Sequence, residues 1–178
     1  IPQWIFKAPL WIKRLYLASY FGAELTKPTQ DKKEPFRFKE PRLSINKIED
    51  LIKNGYDFLN DISILLKDFG VNLNKIYIYP SVIMKNKKKT IKLILSISSY
   101  DENLVKLWSK VGYEYCKQRQ ILASNALGYL LLKQKIIKER NEIKQLLSEN
   151  RKIEIEVVSK SELVFLKHKM YSLSRAPH

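Results

Sequence analysis

Apolar and polar positions along the chain follow two periods, and the points where one gives way to the other divide it into elements. Leu10 to Leu25 contains no proline and one glycine, which predicts a helix, with Pro9 suited to its first turn because a missing N–H costs nothing there. Thr26 to Pro35 holds two prolines and mixed charges and reads as a turn or short edge strand. Phe36, Phe38, Leu43 and Ile45 then alternate with Arg37, Lys39, Arg42 and Ser44, the period of a strand, with a slip at Glu40–Pro41 that suggests a bulge or edge position. Ile48, Leu51, Ile52, Leu59, Ile62 and Leu66 recur at helical spacing, and Gly70 ends that helix. Two strands follow, one over Ile76, Ile78, Val82 and Met84 and one over Ile91, Leu93, Leu95 and Ile97. Lys85 to Lys89 joins them as a lysine-rich hairpin tip. Asp101 to Val111 is a short helix opening on two acids, as the helix dipole favours. Gln118 to about Ser148 is a longer helix, and Glu149 to His178 reads as two short ones. The order predicts an α+β fold, with residues 1–134 as one unit and 135–178 as a helical tail.

Charge narrows the function. Lys and Arg number 33 against 18 Asp and Glu, a formal net charge of +15, which attracts a polyanion. Nucleic acid and an anionic membrane surface both fit. No apolar run reaches the roughly 18 residues of a spanning helix and no signal-peptide pattern is present, so an intracellular, cytoplasmic location without membrane spanning is expected. A peripheral membrane role ranks far lower, because the basic residues gather on strands and a hairpin rather than on an amphipathic helix. Cys116 stands alone, and His168 and His178 are the only histidines, so a zinc site or a Ser–His–Asp triad within one chain is not expected. Hydrolytic chemistry would have to use carboxylates, lysines and a hard, oxygen-loving cation. The first residue, Ile1, fits a piece of a longer or processed protein.

Leu17 to Leu25 reads LASYFGAEL. Ala18 and Gly22 lie four apart on one helix face beside Ser19 and Ala23, and small residues at that spacing allow a second helix to approach closely. Glu24 follows in the last turn, where the dipole disfavours an acid by roughly 0.3–1 kcal/mol, so a nearby cation would be favourable. The plainer alternative is a core helix ending in a solvated Glu.

LASYFGAEL resembles the LAGLIDADG motif of homing endonucleases. Leu17 and Ala18 match its first two letters, Ser19 stands for the first glycine, and Gly22 replaces the first aspartate. Ala23 matches, Glu24 takes the place of the catalytic acid, and Leu25 departs from the final glycine. WIKRLYLASYFGAELTKP (Trp11 to Pro28), SSYDENLVKLWSKVGYEYC (Ser98 to Cys116) and Arg175-Ala176-Pro177 are similar to the endonuclease region of archaeal inteins. The resemblance implies an αββαββα unit with a saddle-shaped antiparallel sheet, Leu25 to about Gln30 being its first strand. It implies a site-specific double-strand DNA endonuclease of archaeal, intein-derived origin. Glu24 and the Ala23 carbonyl would hold Mg2+ or another divalent cation, and Lys92 would stand near the cleavage site. Ala18, Ser19 and Gly22 would pair in a homodimer or with a second LAGLIDADG half. The alternative is a non-catalytic DNA- or RNA-binding protein of the same fold, a maturase or a regulator.

A saddle needs one apolar sheet face and one polar face, and the alternation supplies both. Arg37, Lys39, Arg42 and Ser44 share a face, as do Lys75, Tyr77, Tyr79 and Ser81, with Thr90, Lys92 and Ser96 continuing it. Arg suits guanine edges and Ser or Tyr suits bases or phosphates, while Lys87, Lys88 and Lys89 at the hairpin tip suit phosphates. A solvated sheet with a lysine loop is the alternative. The tail from Lys135 to Tyr171 loosely resembles a helix-turn-helix with Ser161 to Lys169 as its recognition helix, against the alternative of helices packed on the domain.

Overall fold

A computed structural model describes residues 1–83 and 89–150. The chain divides into two compact units, Ile1–Lys133 and Gln134–His178. The helix-turn-helix reading of the tail and the lysines at the hairpin tip, Lys87 and Lys88, lie outside the described residues.

The elements run α1 (Gln3–Lys7), α2 (Leu10–Glu24), β1 (Arg42–Ile48), α3 (Ile52–Lys67), β2 (Leu73–Ile83), β3 (Lys89–Ile97), α4 (Asp101–Lys106) and α5 (Lys117–Asn150). A 3₁₀ turn, Glu49–Leu51, leads into α3, and a π-helical turn, Leu107–Val111, extends α4. The fold is α+β around a three-stranded antiparallel sheet in the order β1-β3-β2. A regular strand at Leu25–Gln30 does not form. Isolated bridges join that stretch to β1, Leu25 to Leu43, and to the chain returning toward it, Gln30 to Phe38. The strand expected from Phe36 starts instead at Arg42. Phe38 is the reason: its ring is drawn into the core edge-on to Trp108 at 5.2 Å and to Tyr129 at 5.9 Å, which takes Arg37 and Lys39 off the strand surface. β2 carries register shifts between Leu73 and Ile76 and between Tyr79 and Val82. The second falls at Pro80, which has no N–H to give a ladder and is tolerated on an edge strand at a bulge.

Helices cover one face of the sheet. Leu43, Leu93, Leu95 and Ile97 are buried there with Leu59, Ile62, Leu65 and Leu66 of α3 and with Leu17 and Phe21 of α2. Gly55 marks where α3 comes closest: a Cβ there would stand 2.6 Å from Leu93 Cδ1 and 2.9 Å from Lys47 Cγ. The turn after α3 is held by Asn103. Its side-chain NH2 donates to the carbonyls of Asn72 and Ser98, and its Oδ1 accepts from the Asn72 N–H at 2.6 Å, so a buried amide is satisfied at both ends. Lys13, nearly buried on α2, donates to Asp68 at 2.6 Å and ties α2 to the end of α3.

Candidate nucleic-acid interface

The strand register sorts the polar residues onto one face. In an antiparallel pair, directly opposed residues project to the same side. Arg42 opposes Ser96, Ser44 opposes Ile94, and Asn46 opposes Lys92. Across β2, Tyr77 opposes Ile94 and Tyr79 opposes Lys92. Two rungs therefore cross the whole sheet, Ser44·Ile94·Tyr77 and Asn46·Lys92·Tyr79. Lys75 falls on the same side by alternation. This is the face turned away from α3. Arg42, Asn46, Lys75, Lys92, Tyr77 and Tyr79 are exposed or partly exposed, the two tyrosines 47% and 45% accessible. Ile94 and Ser96, at the centre, are buried. The result is a dry middle rimmed by cations and phenol rings.

Several residues singled out from the sequence meet on this face: Arg42, Ser44, Lys75, Tyr77, Tyr79 and Lys92. Arg37 and Lys39 do not. They line an open basin beside the sheet, where Arg37 pairs with Glu34 at 2.8 Å. Arg42 reaches Glu40 at 3.4 Å but stays half exposed. Lys89 opens β3. Asn46 was not anticipated, although its alternation with Ser44 was the signal for it.

The helix-interface residues divide. The Ala18 carbonyl accepts the Glu114 N–H at 2.8 Å. A Cβ on Gly22 would lie 1.9 Å from the Glu114 carbonyl oxygen. The small residues thus admit the Tyr113–Cys116 turn of the same chain, and the expectation that Ala18 and Gly22 meet a second helix is corrected to this internal approach. Ser19 lies partly exposed, its hydroxyl donating to the Leu15 carbonyl at 2.6 Å. It continues a stripe with Trp11 (63% accessible), Leu15 (39%) and Ala23.

Glu24 and Ala23 are exposed at the end of α2. The C-terminal carbonyls of that helix have a cation already: Arg119 donates to Phe21 O at 2.9 Å and to Leu25 O at 2.6 Å. Tyr113 donates to Thr26 O at 2.8 Å just beyond. Burial pushes the Tyr113 phenol well above its ordinary pKa. Tyr20 is pushed up to about 12, by burial first and then by the Glu24 charge and Tyr16. Among the described residues no three His, Cys, Asp or Glu side chains gather as a metal site. A divalent cation of the Mg2+ class takes about six oxygens. Glu24 and the Ala23 carbonyl give two, and a Mg2+ ion held there would keep waters for the rest of its shell. Lys92 stands mid-sheet on the outer face, where its cross-strand partners are Asn46 and Tyr79.

No helix among the described residues is long and apolar enough to cross a membrane. No family model matches the chain, and no solved structure matches it. The chain is 35% identical to DNA-directed RNA polymerase subunit Rpo1N of Methanocaldococcus jannaschii over 97% of its own length and 12% of that protein's. It is 32% identical to tRNA-splicing ligase RtcB of Methanopyrus kandleri, over 80% of this chain and 13% of the ligase. It is 34% identical to RtcB of Pyrococcus furiosus, over 79% and 13%. The chain therefore spans about an eighth of the length of these archaeal relatives. These names correct the expectation of a LAGLIDADG homing endonuclease, of an intein-derived DNA hydrolase, and of a maturase or regulator on that fold. The relatives are named as a polymerase subunit and as RNA ligases, and none of them as an endonuclease. The expectation rested on the LASYFGAEL motif, with its departures at Ser19, Gly22 and Leu25, and on the stretches Trp11 to Pro28 and Ser98 to Cys116, and Ala18 and Gly22 serve contacts inside this chain. What the chain shares with each relative is about an eighth of that relative's length, under two different names.

Proposed function

We propose that this chain is a nucleic-acid-binding module of a longer polypeptide, and that the outer face of the sheet contacts double-stranded DNA. The observation that carries the reading is the pair of rungs, Ser44·Ile94·Tyr77 and Asn46·Lys92·Tyr79, flanked by Arg42 and Lys75. A strip of strands bearing long polar side chains suits the major groove, where an antiparallel ribbon can be admitted. The net charge of +15 supplies the long-range attraction. The names of the relatives, a DNA-directed RNA polymerase subunit and a tRNA-splicing ligase, have nucleic acid in common rather than one reaction. Within this reading the exposed stripe Trp11, Leu15, Ser19 and Ala23 faces either a second copy or another part of the longer protein.

The test is binding of the chain to labelled duplex DNA, duplex RNA and single strands of equal length over a series of salt concentrations. Duplex DNA should bind tightest, with log affinity falling against log salt by about 0.9 per phosphate contacted. Lys92→Gln should weaken it. Equal binding to all three forms, unchanged by Lys92→Gln, would show attraction by net charge alone and remove the interface.

A further inference from the structure

The stretch after α2 and its return to β1 enclose an open basin of about 740 Å³, lined by residues between Thr26 and Arg42 and reached by Ser99. We propose that this basin is an oxyanion site that seats a phosphate group. Its walls are fixed. Backbone bonds from Thr26 N to Arg42 O, Lys39 N to Thr29 O and Asp31 N to Arg37 O hold the two sides together. Phe38 anchors the return in the core, and Tyr113 holds the Thr26 carbonyl.

Each carboxylate of the lining has a hydrogen-bond or ion-pair partner. Asp31 accepts the Lys33 N–H at 2.8 Å, and that bond first of all, with the nearby Lys39 and Lys33 charges adding to it, holds its carboxyl below the usual range. Glu34 pairs with Arg37, and Glu40 takes Arg42 and the Asn74 amide. Lys27, Lys33 and Lys39 form no ion pair among the described residues, yet all three line the basin. Thr26 Oγ1 accepts the Arg42 N–H, which leaves its hydroxyl proton to donate. The lining carries five cations (Lys27, Lys33, Arg37, Lys39 and Arg42) against three carboxylates (Asp31, Glu34 and Glu40), and a tetrahedral oxyanion with acceptors on every side complements that excess of donors. The phosphate is either one in the backbone of the duplex proposed above or a free phosphate ion. Only the first source rests on that reading.

The experiment is an amide NMR titration of the full chain with inorganic phosphate at fixed ionic strength, for the native sequence and for Lys33→Gln/Lys39→Gln. Saturable shifts at Thr26, Thr29 and Ser99, weakened roughly tenfold in the double variant, are expected. Saturating duplex then separates the sources. A backbone phosphate displaces the free ion, and the double variant flattens the salt slope by about 0.9 for each phosphate it no longer neutralises. A site for free phosphate keeps its shifts beside bound duplex. Shifts that fail to saturate, or that are equal in the double variant, overturn the site. Phosphate binding without any duplex binding leaves the site standing and removes the duplex reading instead.

Discussion

Around α2 the cations and small residues find partners inside the chain, whereas on the outer sheet face and in the adjoining basin several cations form no ion pair among the described residues. Arg119 caps the Phe21 and Leu25 carbonyls, Arg14 reaches Glu114 at 2.8 Å, Lys13 is held by Asp68, and Ala18 and Gly22 admit the Glu114 peptide. Lys92 and Lys75 stand on the outer face, and Lys27, Lys33 and Lys39 line a basin that holds more cations than carboxylates. A cation with two carbonyls to bind stabilises the fold; a cation that forms no ion pair is available to a ligand. Net charge does not distinguish the two, and geometry does.

The largest effect that would break this contrast is at Gly22. Gly22→Ala puts a Cβ against a backbone oxygen that cannot rotate away, and overpacking of this kind costs about 1–3 kcal/mol or more. A clear fall in the urea midpoint is expected, with Ser19→Ala on the exposed side of the helix nearly neutral. Equal midpoints for the two variants would show that the Glu114 approach is not a constraint. Arg119→Met comes next. It leaves two carbonyls without their charged donor, and the expected loss is about 1.5–3 kcal/mol by denaturation. No loss there would place Arg119 with the uncommitted cations.

Lys92→Gln lies on the other side of the comparison. It should change stability by less than about 0.5 kcal/mol, as exposed substitutions usually do. A fall in the urea midpoint as large as that of Arg119→Met would make Lys92 a structural residue. The smallest effect is at Tyr20. Its pKa is raised from 10 to about 12 in the folded state, so its contribution is fully present below pH 10 and is lost as pH rises from 10 through about 12. Tyr20→Phe should flatten the decline of stability across that window, read as midpoints against pH, and parallel curves for the two proteins would count against the raised value.

Much of the sheet was legible because strand alternation has period two and needs no partner to be read. Arg42 and Ser44, Lys75, Tyr77 and Tyr79, and Lys92 were placed on one face from the sequence, and the register puts them there. The α+β class and the long helix Lys117–Asn150 followed equally from periodicity. The stretch from residue 36 to 41 reads as part of a strand in the sequence because Phe36 and Phe38 alternate with basic residues, and nothing local says that Phe38 leaves the alternation for Trp108 and Tyr129. The helix Gln3–Lys7 is invisible to pattern because five residues are too few to show a period.

The sequence by itself determined which residues alternate, where helices stop, and that a strongly basic chain has an excess of cations to place. Those properties are local or additive. Only the tertiary structure decided which small residues and cations are consumed inside. Gly22 meets Glu114, Arg119 meets Leu25 and Lys13 meets Asp68 across long stretches of chain, and such meetings depend on how the elements pack. The same packing left Lys27, Lys33 and Lys39 around one basin, because the anchoring of Phe38 folds the chain back there and ties the intervening acids to partners of their own.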